Sequence, residues 1–208
     1  MPKIITGDKR MKAIAITGSI ATGKSTVSKY LIQQGYPVID TDIISRIVVE
    51  KGTVGLERLK ENFGEGIIQE DGTLNRKALS NIVFNDAASK EKLNQILHPL
   101  ISKESKERMA AYKEEGHSLI FVDIPLYYEV DIDIPTDAVW LVYVSPDIQL
   151  ERLMKRNLMS EEDARQLISN QISIQDKAKW SEIVIDNSNT LEETHKQIDQ
   201  LLKAENNK

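Results

Sequence analysis

Eight consecutive residues, Gly18-Ser19-Ile20-Ala21-Thr22-Gly23-Lys24-Ser25, follow the pattern G-x-x-x-x-G-K-S. Residue types at that spacing suit one chemistry, the holding of a nucleotide's phosphates. Gly18 and Gly23 let the backbone curl through conformations that other residues avoid. The N–H groups of the loop then point inward at phosphate oxygens, and Ala21, Thr22 and Thr26 lie in that run. Lys24 reaches the β- and γ-phosphates, and the Ser25 hydroxyl ligates Mg²⁺.

Other side chains could complete a transfer site. Asp40 and Asp42 flank Thr41. If the chain is still extended there, a spacing of two puts both carboxylates on one face. Phosphoryl transfer to a hydroxyl needs a carboxylate that accepts its proton, and Asp42 is favoured over Asp40 for that role. The competing reading of Asp42 is a helix cap. Gln149, Arg152 and Arg156 fall at i, i+3 and i+7, on one helix face. Guanidinium groups there could offset the charge of a phosphoryl transition state, or form a solvated face paired to Asp147 or Glu151. Asp123 closes an apolar run and could hold Mg²⁺ through water or bond a loop backbone. His98, His117 and His195 show no ligand spacing. His98, before Pro99, reads as a structural residue or a substrate-pocket donor. Tyr127 and Tyr128 could wall a pocket, and Trp140 reads as core.

The elements that must position these groups are legible as alternating patterns. Apolar runs at residues 12–17, 36–40, 118–123, 138–144 and 182–185 read as buried strands. A helix follows the glycine-rich loop and stops at Gly35, so the loop sits between a strand and a helix N-terminus, where the dipole favours an anion. Residues 41–117 carry almost no strand signal. They read as helices over 42–51, 53–63, 74–84 and 87–115, the last interrupted near His98-Pro99 because proline disfavours helix in the residue before it. A turn falls at Gln69-Glu70-Asp71-Gly72. Ser145-Pro146, Ser160-Glu161-Glu162-Asp163 and Thr190-Leu191-Glu192-Glu193 carry helix-start signals. Strands alternating with helices predict an α/β fold with a parallel sheet. Ligands bind at the carboxyl ends of such strands, which draws Thr17, Asp40, Asp123, Ser145 and Asp186 to one edge.

Bulk properties narrow the partners. The chain has 208 residues, 40% of them hydrophobic, and a formal net charge of −5. No basic stripe invites nucleic acid. No apolar run approaches the about 18 residues of a membrane span. The absence of cysteine fits a reducing cytoplasm. Residues 1–10 read as an extension before the first strand. Neither D-x-x-G with N-K-x-D nor L-S-G-G-Q occurs, which sets aside GTPases and ABC-type ATPases.

From Ala13 to Leu202 the chain resembles the dephospho-CoA kinase family. The resemblance rests on Ile16–Thr26, on Val38-Ile39-Asp40-Thr41-Asp42 with Arg46, on Asp71-Gly72-Thr73-Leu74-Asn75-Arg76, and on Leu97-His98-Pro99. Asp123–Glu129, the Gln149/Arg152/Arg156 set and Asp186-Asn187 extend it. Ser19 stands where that family usually has glycine, Tyr127-Tyr128 where it has a Leu-Phe type pair, and Ser181-Glu182 where it has Ala-Asp. The resemblance implies a three-layer P-loop NTPase fold with a five-stranded parallel sheet, a helical insertion and a small lid, all within one domain over 11–208. It implies transfer of the ATP γ-phosphate to the ribose 3′-hydroxyl of dephospho-CoA, with Mg²⁺. Asp42 would be the base, with Lys24 and Arg152 the other catalytic groups. Thr17 and Asp40 would be neighbours at the acceptor. Arg152 and Arg156 would belong to a lid over 152–176, and Asn187 with its loop would approach adenine. The 43–117 insertion would hold dephospho-CoA, with Arg76 and His98 in contact. A cytoplasmic monomer or small homo-oligomer acting on small molecules, without nucleic acid or membrane, is expected. Another nucleoside-monophosphate or small-molecule kinase is the alternative enzyme, and a non-catalytic nucleotide-binding regulator the alternative of another class.

Overall fold

Five strands, β1 (Lys12–Thr17), β2 (Val38–Asp40), β3 (Leu119–Asp123), β4 (Ala138–Tyr143) and β5 (Ile183–Asp186), form one sheet in the order β2-β3-β1-β4-β5. They come from a computed structural model that describes residues 10–84 and 86–207. β1 pairs in parallel with β3 and β4, and β4 pairs in parallel with β5. Residues 13–17 of β1 and all of β3 are buried, as expected of central strands covered on both faces. The register sets Ile16 beside Asp123, Thr17 beside Leu141 and Tyr143 beside Asp186. Thr17, Asp123 and Asp186 therefore end their strands at one edge of the sheet. Of the expected extension, residues 1–9 lie outside the described residues; Arg10 pairs with Asp137 at 2.8 Å.

The helices in chain order are α1 (Lys24–Gln33), α2 (Thr41–Ile47), α3 (Val54–Phe63), α4 (Arg76–Phe84), α5 (Ala87–Glu114), α6 (Pro146–Asn157), α7 (Glu161–Ser169), α8 (Ile174–Trp180) and α9 (Leu191–Asn206). The described chain divides into two compact units. One comprises residues 10–39, 112–130 and 135–207; the other comprises 40–84, 86–111 and 131–134.

In the first unit, Ile14, Ile16, Phe121 and Trp140 from the sheet pack with Val27 and Leu31 of α1 and Ile198 and Leu202 of α9. Trp140 is core, as its strand position predicts. Ser145 caps α6, with Pro146 in its first turn, and Ser160 caps α7. Thr190 and Glu193 complete the capping box of α9. Helix α8 has no counterpart in the sequence reading. Its seven residues are too few to show a clear period.

In the second unit, Val49, Leu56, Leu59, Ile67, Leu74 and Leu79 make a separate, smaller core. The turn at 69–72 is present, closed by Gly72 N–H donating to the Gln69 carbonyl at 2.9 Å. Two local expectations are corrected. The chain does not stay extended through Asp42, because α2 begins at Thr41 and Asp40 is its cap. Nor does Pro99 interrupt the long helix: α5 runs through it. Proline removes one helical N–H. Ile101, Ser105 and Met109 beyond it are buried, and their packing carries the helix onward.

Candidate active site

The glycine-rich loop leaves β1 at Gly18 and enters α1 at Lys24. Gly23 has φ of +84°, and a Cβ there would stand 2.2 Å from Asn187 Nδ2. Only glycine meets both demands. The Thr22 hydroxyl folds the loop onto itself, donating to the Ser19 carbonyl at 2.9 Å and accepting from Ser19 N–H at 3.3 Å.

Alternate carbonyls of the loop are held by side chains from elsewhere in the same unit. Lys177 Nζ donates to the Gly18 carbonyl at 3.0 Å, Gln149 Nε2 to Ile20 at 2.9 Å and Asn187 Nδ2 to Thr22 at 2.8 Å. The Ile20 N–H donates to Gln171 Oε1 at 2.9 Å. Within the loop, Thr22 N–H donates to the Ser19 carbonyl at 3.2 Å and Thr26 N–H to the Gly23 carbonyl at 2.9 Å. Helix α1 starts without a capping side chain. The Lys24 and Ser25 N–H groups of its first turn are donors for an anion, reinforced by the helix dipole.

Lys24 forms an ion pair with Asp123, which is buried at the end of β3. Ser28 Oγ also donates to Asp123, at 2.6 Å. The carboxylate thus holds the ammonium at the loop. Ser25 is exposed beside it. Among the described residues no cluster of three or more His, Asp or Glu side chains gathers for a metal. The Ser25 hydroxyl is a donor that would suit Mg²⁺ keeping most of its shell as water and phosphate oxygens.

Some expected site residues act indirectly. Thr17 is fully buried, and its hydroxyl donates to the Pro125 carbonyl at 3.3 Å. It holds the segment after β3. Asn187 has its amide engaged by Thr22, and its Oδ1 accepts from Thr194 Oγ1 at 2.9 Å. Its side chain buttresses the loop. Gln149, at 2% exposure, likewise serves the loop backbone. The face shared by Gln149, Arg152 and Arg156 therefore divides. Arg152 is half-buried, with Nη1 4.0 Å from the point a Gly23 Cβ would occupy. Arg156 is exposed and donates from Nε to Asn157 Oδ1 at 2.9 Å.

In the helical unit, Asp40 Oδ1 accepts from the N–H groups of Asp42 and Ile43, at 2.8 and 3.0 Å. Capping falls to Asp40, and Asp42 stands exposed in the first turn of α2. Arg76 opens α4 and lines a cleft of about 470 Å³ with Lys51, Gln69, Thr73, Asn75 and Lys77. The Thr73 hydroxyl, and then its N–H, hold the Asp71 carboxyl below its usual range. His98 Nδ1 lies 3.1 Å from the Asp131 carbonyl and lines a second cleft of about 680 Å³ with Ser102, Lys106 and Asp133.

A family model described as dephospho-CoA kinase matches residues 12–193. The chain belongs to the dephospho-CoA kinase family. The family phosphorylates dephospho-CoA, and the chain is accordingly a phosphotransferase. A dephospho-CoA kinase of Listeria monocytogenes serotype 4b is 45% identical over 187 residues, 90% of this chain and 94% of the relative. One from Staphylococcus saprophyticus is 44% identical over 194 residues, 93% of this chain and 94% of the relative. A solved dephospho-CoA kinase of Campylobacter jejuni superposes with a TM-score of 0.70 at 28% identity, covering 92% of this chain and 95% of its own. A Thermus thermophilus protein, TT1252, superposes at 0.77 with 29% identity, covering 94% and 98%. The match to dephospho-CoA kinases thus runs through both units. Among the described residues no helix is long and apolar enough to cross a membrane.

Gln171, Lys177 and Glu129 escaped the sequence reading as site residues. Glu129 was visible only as one letter of a motif. A buried lysine has no sequence signal, since lysine in a short helix normally marks a solvated face.

Proposed function

We propose that the chain transfers the γ-phosphate of ATP to the ribose 3′-hydroxyl of dephospho-CoA, yielding CoA and ADP. The observation that carries this reading is the phosphate loop, with its carbonyls engaged by the protein and Lys24 and Ser25 at the uncapped start of α1. Asp42 is the base. Asp40 caps α2, and Asp42, exposed in the first turn of that helix, takes the hydroxyl proton as oxygen bonds to the γ-phosphorus. The bond from that phosphorus to the bridging oxygen breaks, and the charge passes to the ADP β-phosphate. Lys24 stands at that charge, and Arg152 offsets the charge on the equatorial oxygens. Ser25 would hold Mg²⁺, which would supply positive charge at the phosphates being transferred.

The loop N–H groups of Ala21, Gly23, Lys24 and Ser25 cradle the phosphates, and Arg156 closes with the lid over residues 152–176. The helical unit holds dephospho-CoA, with Arg76 and His98 on the clefts that they line. The enzyme works in the cytoplasm on small molecules, apart from nucleic acid and membrane. An ADP-release assay with dephospho-CoA, AMP, UMP and shikimate tests the reading. Turnover is expected with dephospho-CoA alone; equal turnover of another acceptor overturns it.

A further inference from the structure

Lys177 is fully buried, a rare place for a lysine unless it is paired. Its ammonium donates to the Gly18 carbonyl at 3.0 Å and pairs with Glu129 Oε1 at 2.6 Å. The same Glu129 oxygen accepts from the Ile172 N–H at 3.1 Å. One residue earlier, Gln171 accepts from the Ile20 N–H. Two backbone groups of the phosphate loop, two residues apart, are thus gripped by the two ends of the segment 171–177. The far end of the grip is fixed as well. Ser181 Oγ donates to the Lys177 carbonyl at 2.9 Å and lies 2.7 Å from the Tyr128 hydroxyl. Tyr128 and Ser181 are two positions at which this chain departs from the family pattern, and here they bond to each other.

Stability alone does not account for this arrangement. Burying an ammonium and a carboxylate carries a desolvation cost that their attraction only partly offsets, and an apolar pair of similar volume is often more stable. Glu129 Oε2 adds to the cost, being buried with no hydrogen-bond partner among the described residues. What the pair does provide is direction. A carbonyl held by a fixed ammonium cannot rotate inward, where it would oppose a phosphate oxygen.

We propose that residues 171–177 form a clamp in which Lys177, backed by Glu129, is a positioning residue for phosphate transfer. Lys177 need not touch nucleotide. It keeps the Gly18 peptide turned outward while Gln171 sets the next but one, so the loop presents its N–H groups ready for the β- and γ-phosphates. The clamp rests on the functional reading above. It acts on the nucleotide side, so its loss weakens ATP and leaves dephospho-CoA binding as it was.

The double variant Lys177→Met, Glu129→Gln removes both buried charges and keeps the volume. Its melting temperature is expected to stay near that of the parent, while KM for ATP and Kd for MgADP by calorimetry rise about tenfold, the size of a lost charged hydrogen bond. KM for dephospho-CoA is expected to hold. Unchanged MgADP affinity overturns the clamp, and so does a loss shared equally by both substrates in step with lost folded protein. If the double variant does not fold, Gln171→Ala, at a partly exposed position, carries the test: MgADP affinity lower by about threefold supports the clamp, and parent affinity overturns it. Should the parent fail to phosphorylate dephospho-CoA, the functional reading falls, while the MgADP measurements still decide the clamp.

Discussion

The phosphate loop and the helical unit solve opposite problems. Around the loop, side chains are buried and engaged with backbone: Gln149, Lys177 and Asn187 are each at or below 5% exposure. In the helical unit the candidate side chains Asp42 and Arg76 stand exposed, and charged side chains such as Lys51 and Lys106 line the clefts. A triphosphate presents the same tetrahedra at every turnover, so a rigid array of donors set in advance is the efficient partner. A long acceptor with a flexible arm presents many shapes, and solvated side chains at the edges of a small core can follow it. The contrast predicts where substitution is severe and where it is mild.

The sharpest break should come from Lys24→Ala. Turnover should drop by about a hundredfold or more, because a fixed charge at the transferred group is lost. Melting should also fall somewhat, since the buried Asp123 loses its ion-pair partner. Near-parent turnover would deny Lys24 its phosphate role.

Asp42→Asn should follow, with kcat down by about a hundredfold and KM for ATP little changed. Its control is Asp40→Asn. Asparagine caps a helix about as well as aspartate, so that variant should keep its fold and most of its activity. If Asp40→Asn is the more damaging of the two, the base has been assigned to the wrong carboxylate.

The smallest effect belongs to Asp71. The Thr73 hydroxyl and N–H favour its charged form, so its pKa is lower in the folded protein than in the unfolded chain. The sign follows: its contribution is present above the unfolded value and disappears as pH falls through the folded one. Asp71→Asn should therefore lower the urea midpoint slightly at neutral pH and converge with the parent in acid. A gap that widens in acid would reverse the sign and refute the assignment.

Long-range geometry set the limits of what could be read from the chain. β1 and β3 were visible because strands buried on both faces are apolar without interruption. The caps at Ser145, Ser160 and Thr190 were visible because capping is decided within four residues. Asp40 and Asp42 were harder. Which one caps depends on the helix starting at Thr41 rather than one residue later, and a pattern cannot resolve that step. Pro99 misled because local preference was outweighed by packing of the residues beyond it. The supports of the phosphate loop were the least legible. Thr17 and Asn187 are site candidates in the sequence and Gln149 marks a helix face there, but their engagement with backbone is visible only in three dimensions.

The three held carbonyls also bear on portability. Their donors lie 159, 129 and 165 residues along the chain from the groups they hold. A peptide spanning residues 12–33 would contain every letter of the G-x-x-x-x-G-K-S signature. It would have nothing to orient the peptide planes, and its affinity for phosphate would be that of a flexible turn. Transplanting the octet into another scaffold would carry over the signature and leave its precision behind.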